Sequence, residues 1–316
     1  MNNKNVLIHV WLPPLLFVIV CLSLNYLAGS LDLAYVVDER SQRDFNAALG
    51  MPLIIGYLWL AIRIMHRRAG RRIADFLVSV RRVDEYPQHI KKLEKKLITQ
   101  VVIASALAIS ITMIYLTTEG LLALDLKPAI ILLNAIAVPF WFFLFLFIMQ
   151  SASFTRYMYR HLVLPSITRE TNFSHCKALC DLGLSNVSLA LMMLMLVPIF
   201  WLGKPIPVID LLILMVMVVF MLALLFLPVL KTLWLMRTYR AKNIASIETA
   251  IEAILVKRRS GLNNERTAAQ LYRLNQQLED MRQFSCWPKD IVQNIKIFIV
   301  SAGVPTSWLL MAWFVK

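Results

Sequence analysis

The chain has 316 residues, 59% hydrophobic and only 16% charged, against roughly 25% charged in soluble domains. Its mean hydropathy is +0.65 and its formal net charge is +14. A water-soluble globule cannot cover its surface from this composition, and several stretches exceed the ~18 apolar residues that mark a bilayer-crossing helix. The sequence therefore predicts an all-α, polytopic integral membrane protein.

Apolar runs place spans at 7–28, 51–66, 97–118, 128–150, 185–203, 208–230 and 291–314. The first is longer than a removable signal peptide requires and is read as retained. Segment 1–66 holds the first two spans and an outer loop, 29–50. The run "RIMHRRAGRRIADF" at 63–76 then opens a basic stretch, 67–96, in which Ile73, Phe76, Leu77, Val80 and Val83 follow helical spacing. That spacing predicts an amphipathic helix over about 70–84, stopped by Pro87. Residues 97–150 form a hairpin of two spans, 151–184 a connector, and 185–230 a second hairpin. In 231–290, Asn243 is placed to cap a helix carrying Ile244, Ile247, Ile251, Ile254 and Leu255 on one face. Ser260-Gly261 breaks that helix, and Leu271, Leu274, Leu278 and Met281 recur at coiled-coil spacing. This predicts a helical hairpin, followed by a last span within 291–316.

Basic residues mark the side on which a segment stays. Segment 63–96 carries a net +7, 231–291 a net +5 and 151–184 a net +2, whereas 29–50 is −2. The signs put the basic segments and the N-terminus in the cytoplasm and the C-terminus outside, as in a bacterial inner (plasma) membrane protein. The same rule makes 63–76 first a topology signal. Arg67, Arg68, Arg71 and Arg72 are then candidate lipid-headgroup contacts, since a Lys or Arg near an anionic leaflet contributes ~1 kcal/mol. No nucleic-acid reader motif accompanies them, and no direct nucleic-acid binding is expected.

Chemistry-bearing residues are sparse inside the spans. Asn134 with Pro139, and Ser301 with Pro305, are candidates for a pore lining or for helix packing. Ala104, Ser105, Ala108 and Thr112 make a small-residue face suited to close helix contact. His175, Cys176, Cys180 and Asp181 resemble a metal site only if Cys286 joins them, and no metal is expected. The dispersed cysteines predict no disulfide framework. His66 and His161 are placed to approach each other near the cytoplasmic surface. No phosphate-cradling loop or hydrolase motif occurs, and neither a cofactor nor a catalytic residue is expected.

The resulting expectation is a non-enzymatic membrane subunit of a multi-component system for signalling, defence or secretion. Its hairpin, through Ile247, Ile251, Ile254, Leu271, Leu274 and Leu278, would dock a soluble cytoplasmic partner or build a homo-oligomer, with membrane lipids around it. The alternatives are a channel or carrier with a polar path between proline-kinked helices, and a lipid-modifying enzyme at the cytoplasmic face.

Overall fold

The computed structural model describes residues 3–32, 34, 36–118, 127–164, 177–204, 206, 208–259, 265–283, 302–304 and 306–308. Seven helices are described along most of their length, here α1 (Asn3–Leu27), α2 (Glu39–Ser79), α3 (Tyr86–Thr118), α4 (Pro128–Met158), α5 (Lys177–Leu196), α6 (Val208–Arg259) and α7 (Glu265–Gln283), and residues 302–304 and 306–308 are also helical. A π-turn, Tyr159–Val163, extends α4, and a 3-10 turn, Val197–Trp201, ends α5.

Five helical stretches are long and apolar enough to cross a membrane. They overlap the first five predicted spans. The count of seven is not reached among the described residues, because 208–230 lies on α6, most of whose side chains there are outside the description, as is most of 291–314.

The helices overrun the apolar segments. α2 has 41 residues, about 62 Å at a rise of ~1.5 Å per residue, twice a hydrocarbon core of ~30 Å. It is the central helix, packed by α1, α4, α5 and the 3-10 turn. Its buried stripe, Ile54, Leu58, Ala61, Met65, Ala69, Ile73, Phe76 and Leu77, keeps steps of three and four past the end of the apolar run, so one core serves both the membrane layer and the basic end. α1 buries only a narrow face, Val10, Pro14, Cys21 and Asn25, while Leu12, Leu15, Ile19 and Leu24 stay exposed. Such apolar exposure is what a lipid-solvated face requires. On α3 the small-residue expectation holds for Ala104, Ala108 and Thr112, all buried at steps of four where α3 meets α4.

Two of the prolines within these helices, Pro14 and Pro52, are met by side chains from a neighbour. Pro14 cannot donate to the carbonyl of Val10, and Arg63 Nη1 donates to that oxygen at 3.4 Å. Pro52 leaves the carbonyl of Ala48 open, and the buried Asn25 Nδ2 donates to it at 2.6 Å. Each bond ties α1 to α2. Gly56 lets the two helices close further: a Cβ there would run into Val18 Cγ2.

Several boundaries differ from the sequence reading. The segment read as outer loop 29–50 is helical from Glu39, because Asp38 and Ser41 form a capping box, Asp38 Oδ1 accepting from the Ser41 N–H at 2.7 Å and Ser41 Oγ from the Asp38 N–H at 3.1 Å. Gln42 and Asn46, on the first turns of α2, both donate to the carbonyl of Leu202, at 3.0 and 2.8 Å, and fasten the end of α5. Pro87 does not stop α2. That helix ends at Ser79, where the Arg82 N–H donates to Leu77 O at 2.8 Å and the Arg81 N–H to Val78 O at 3.1 Å, with Arg81 at φ 56°. This is a Schellman ending with arginine in the usual glycine position. Pro87 instead sits in the first turn of α3, where its missing N–H is harmless. The connector 151–184 begins as buried helix: Ser151, Ser153, Phe154, Thr155, Tyr157 and Met158 are core residues of α4. Asn243 caps nothing, because α6 runs through it without a break for 52 residues.

Candidate functional site

The basic end of the bundle, where α2, α3, α4 and α5 emerge from their apolar segments, holds most of the polar architecture. Four arginines one turn apart on α2 divide into two pairs, as a rotation of ~100° per residue demands. Arg68 faces α5 and donates to Ser185 Oγ, next to the fully buried Asn186. Asn186 Nδ2 lies 3.4 Å from Thr155 Oγ1 and 3.5 Å from Ser151 O, and Ser151 Oγ lies 3.2 Å from Met65 Sδ. These contacts are a packing joint between α2, α4 and α5.

The other face of α2, with His66, Arg67, Gly70 and Arg71, turns to the start of α3. With Tyr86, Ile90 and Leu93 it encloses a cavity of about 250 Å³. His66 packs edge-on to Phe154, with ring centroids 5.7 Å apart, and its Nδ1 is buried with no hydrogen-bond partner. Gly70 opens the wall, since a Cβ there would stand 3.8 Å from Tyr86 Oη and 3.9 Å from Ile90 Cδ1.

A second polar chain runs from the turn before α3 onto the first turns of that helix. Arg82 grips Glu85 with two hydrogen bonds of 2.7 Å. Glu85 Oε2 is 3.6 Å from His89 Nε2, and His89 Nδ1 is 2.7 Å from Tyr157 Oη. The Tyr157 ring in turn meets that of His161, with centroids 4.7 Å apart. Burial of His89 and His161 lowers their pKa values below the usual imidazole range, opposed at His89 by Glu85 and reinforced at His161 by Lys92, Lys96 and Arg160. The hydrogen bonds from Arg82 hold the Glu85 carboxyl below the ordinary carboxylate range. A neutral His89 fits this setting, its Nδ1 accepting from the tyrosine hydroxyl and its Nε2–H turned to the carboxylate. His161 thus faces Tyr157 and His89, not His66.

At the acidic end, Asp32, Asp38, Asp44, Arg40 and Lys127 line a larger cavity of about 500 Å³. Two of its carboxylates serve the backbone: Asp38 caps α2, and Asp32 Oδ1 accepts from the Ala34 N–H at 2.9 Å.

α6 and α7 are in contact, and Ile247, Ile251, Ile254, Leu271, Leu274 and Leu278 are each half-buried on them. Arg282 on Glu248 at 2.8 Å and Arg240 Nη2 on the Arg282 carbonyl at 2.5 Å join the two helices. Asn134 and Pro139 lie half-buried on α4. Ser301, Pro305 and the sequence's metal-like group, His175, Cys176, Cys180, Asp181 and Cys286, fall outside the described residues or side chains.

The sequence reading missed the His89–Tyr157 contact, which joins residues 68 positions apart, and the Gln150–Gln100 bond of 2.7 Å between α4 and α3. The split of the arginines was readable from their spacing. Comparison of the chain with protein-family models, curated proteins and solved structures finds no match.

Proposed function

We propose that the protein is a non-enzymatic membrane subunit that assembles with other proteins through the arm formed by α6 and α7. In this reading the basic end faces the cytoplasm of a bacterial cell, the N-terminus is inside, and 208–230 and 291–314 complete seven spans. The net charges of 63–96, 151–184 and 231–291 support that orientation.

One observation carries the proposal. α6 passes from an apolar run into a polar helix without a break, and residues 231–259 extend about 44 Å beyond that run. On this arm the seam between α6 and α7 is only half-buried, and Val256 and Tyr272 are 66% and 71% exposed. Bilayer lipid covers the exposed leucines and isoleucines of α1 and α3; it does not reach the arm. A two-helix unit is marginal in water without further packing, so the arm suits a second protein surface, whether a soluble partner or another copy.

The test is the mass and activity of the full chain in native lipid discs, beside V256E/Y272E and a chain lacking 243–284. The reading expects both variants to lose the assembly while the membrane bundle keeps its melting temperature. Intact assembly and activity after deletion of 243–284 would refute it.

A further inference from the structure

The cavity between α2 and α3 has a composition and a depth that the arm does not explain. We propose that it binds the phosphate-bearing headgroup of an anionic phospholipid.

Depth comes first. His66 ends the apolar run 51–66 and Arg71 lies five residues beyond it, so the α2 wall spans about 8 Å outside the hydrocarbon layer. On α3, Ile90 and Leu93 precede the apolar run 97–118 by four to seven residues, about 6–10 Å on the same side. Two helices running in opposite directions therefore place the cavity in one thin layer, the headgroup region.

The wall chemistry is that of an anion site open to lipid. Arg67 and Arg71, one helical turn apart, bring positive charge to the rim, and His66 lines the wall beside them. A phosphate oxygen accepts from a guanidinium fork. Tyr86 lines the same space, while Ile90 and the buried Leu93 give an apolar floor for the glycerol carbons. A volume of about 250 Å³ falls below the ~300–1,000 Å³ of sites that enclose a drug-sized ligand. It suits a headgroup whose acyl chains remain outside. Gly70 keeps the cavity open, and a Cβ is tolerated there whereas a longer side chain fills it.

The test titrates the full chain, delipidated in detergent, with phosphatidylglycerol or phosphatidylcholine, and counts retained lipids by native mass spectrometry. Three variants are compared: Arg71→Gln on the cavity face, Gly70→Leu filling the cavity, and Arg72→Gln, which removes the same charge from the adjacent face. One phosphatidylglycerol per chain is expected, retained at least about tenfold better than phosphatidylcholine. Arg71→Gln should weaken it about fivefold or more, the equivalent of ~1 kcal/mol per cation, Gly70→Leu should abolish it, and Arg72→Gln should change it less than about twofold. Competition with glycerol 3-phosphate identifies the source. Retention against millimolar competitor supports a lipid headgroup, while tight binding of glycerol 3-phosphate with the same variant pattern supports the phosphate site with a soluble ester as its ligand. Equal losses from Arg71→Gln and Arg72→Gln, or equal retention of the two lipids, would overturn the proposal. The arginine pair decides the matter even where Gly70→Leu fails to fold.

Discussion

The contact between α1 and α2 at Gly56 gives the sharpest test of the packing. A methyl at position 56 collides with Val18 Cγ2, whereas its next neighbours, the Pro14 carbonyl oxygen at 3.5 Å and Val18 Cβ at 3.7 Å, are at ordinary contact distance. Gly56→Ala therefore introduces one clash. Overpacking of this kind costs ~1–3 kcal/mol, and the helix preference of alanine over glycine offsets ~1 kcal/mol of it, leaving a net destabilisation of about 0–2 kcal/mol. Val18→Ala removes the colliding methyl and costs about 0.5–1.5 kcal/mol by itself. In V18A/G56A the new methyl meets only the two ordinary contacts, so the double variant should be more stable than the sum of the single changes by about 1–3 kcal/mol. Unfolding equilibria of the four proteins in bicelles, followed by steric trapping, read this cycle directly. Additivity within about 0.5 kcal/mol, with Gly56→Ala as stable as the parent, would show that α1 does not approach α2 at Val18.

Asn25→Leu should destabilise the chain by about 1–3 kcal/mol, because the Ala48 carbonyl loses its donor in an apolar layer; adding Pro52→Ala should recover much of the loss by restoring the N–H within α2, and no recovery in thermal melts would refute the pairing. Arg81→Gly should stabilise by about 1 kcal/mol, since the left-handed conformation at φ 56° costs an L-residue ~1–2 kcal/mol that glycine avoids; a lower melting temperature would contradict the Schellman ending. Stability should fall as the pH drops below about 6.5, the imidazole value in an unfolded chain. There the unfolded chain takes up protons that His89 and His161, held low by burial, still refuse. Glu85, also held low, adds a loss in the same direction only at more acidic pH, as its own carboxyl protonates. His89→Phe should flatten the slope of melting temperature between pH 5.5 and 7.5, and an unchanged slope would remove His89 as a cause.

What the sequence conveys most clearly is hydropathy and the sign of charge: an apolar run of eighteen residues has few alternatives to a helix, and the basic and acidic segments separate along the chain. Helix ends were less legible. Asn243 has the side chain of a cap, but a cap is worth only ~1 kcal/mol and cannot interrupt a cooperative helix that nothing else breaks, so α6 runs on. Conversely, Asp38 and Ser41 were the right residue types for a helix start, obscured because the turns after them are polar on one face and dock Asn46 and Gln42 to a segment some 160 positions away. The split of Arg67 and Arg71 from Arg68 and Arg72 follows from helical rotation alone. What lies opposite each pair, Tyr86 and Ile90 or Ser185, depends on which helices meet, and that information is carried by distant positions such as Gly56 and the prolines. The His89–Tyr157 contact depends on the same helix register.

The unbroken course of α6 makes it a lever. The residues beyond its apolar run, 231–259, form a shaft of about 44 Å. A rotation of about 10° at the base of that shaft would sweep its tip near position 259 through about 8 Å, by the same rise per residue. Small changes in tilt at the base thus reach the far end of the arm as displacements larger than a side chain, carried by mechanical advantage along a single segment of chain.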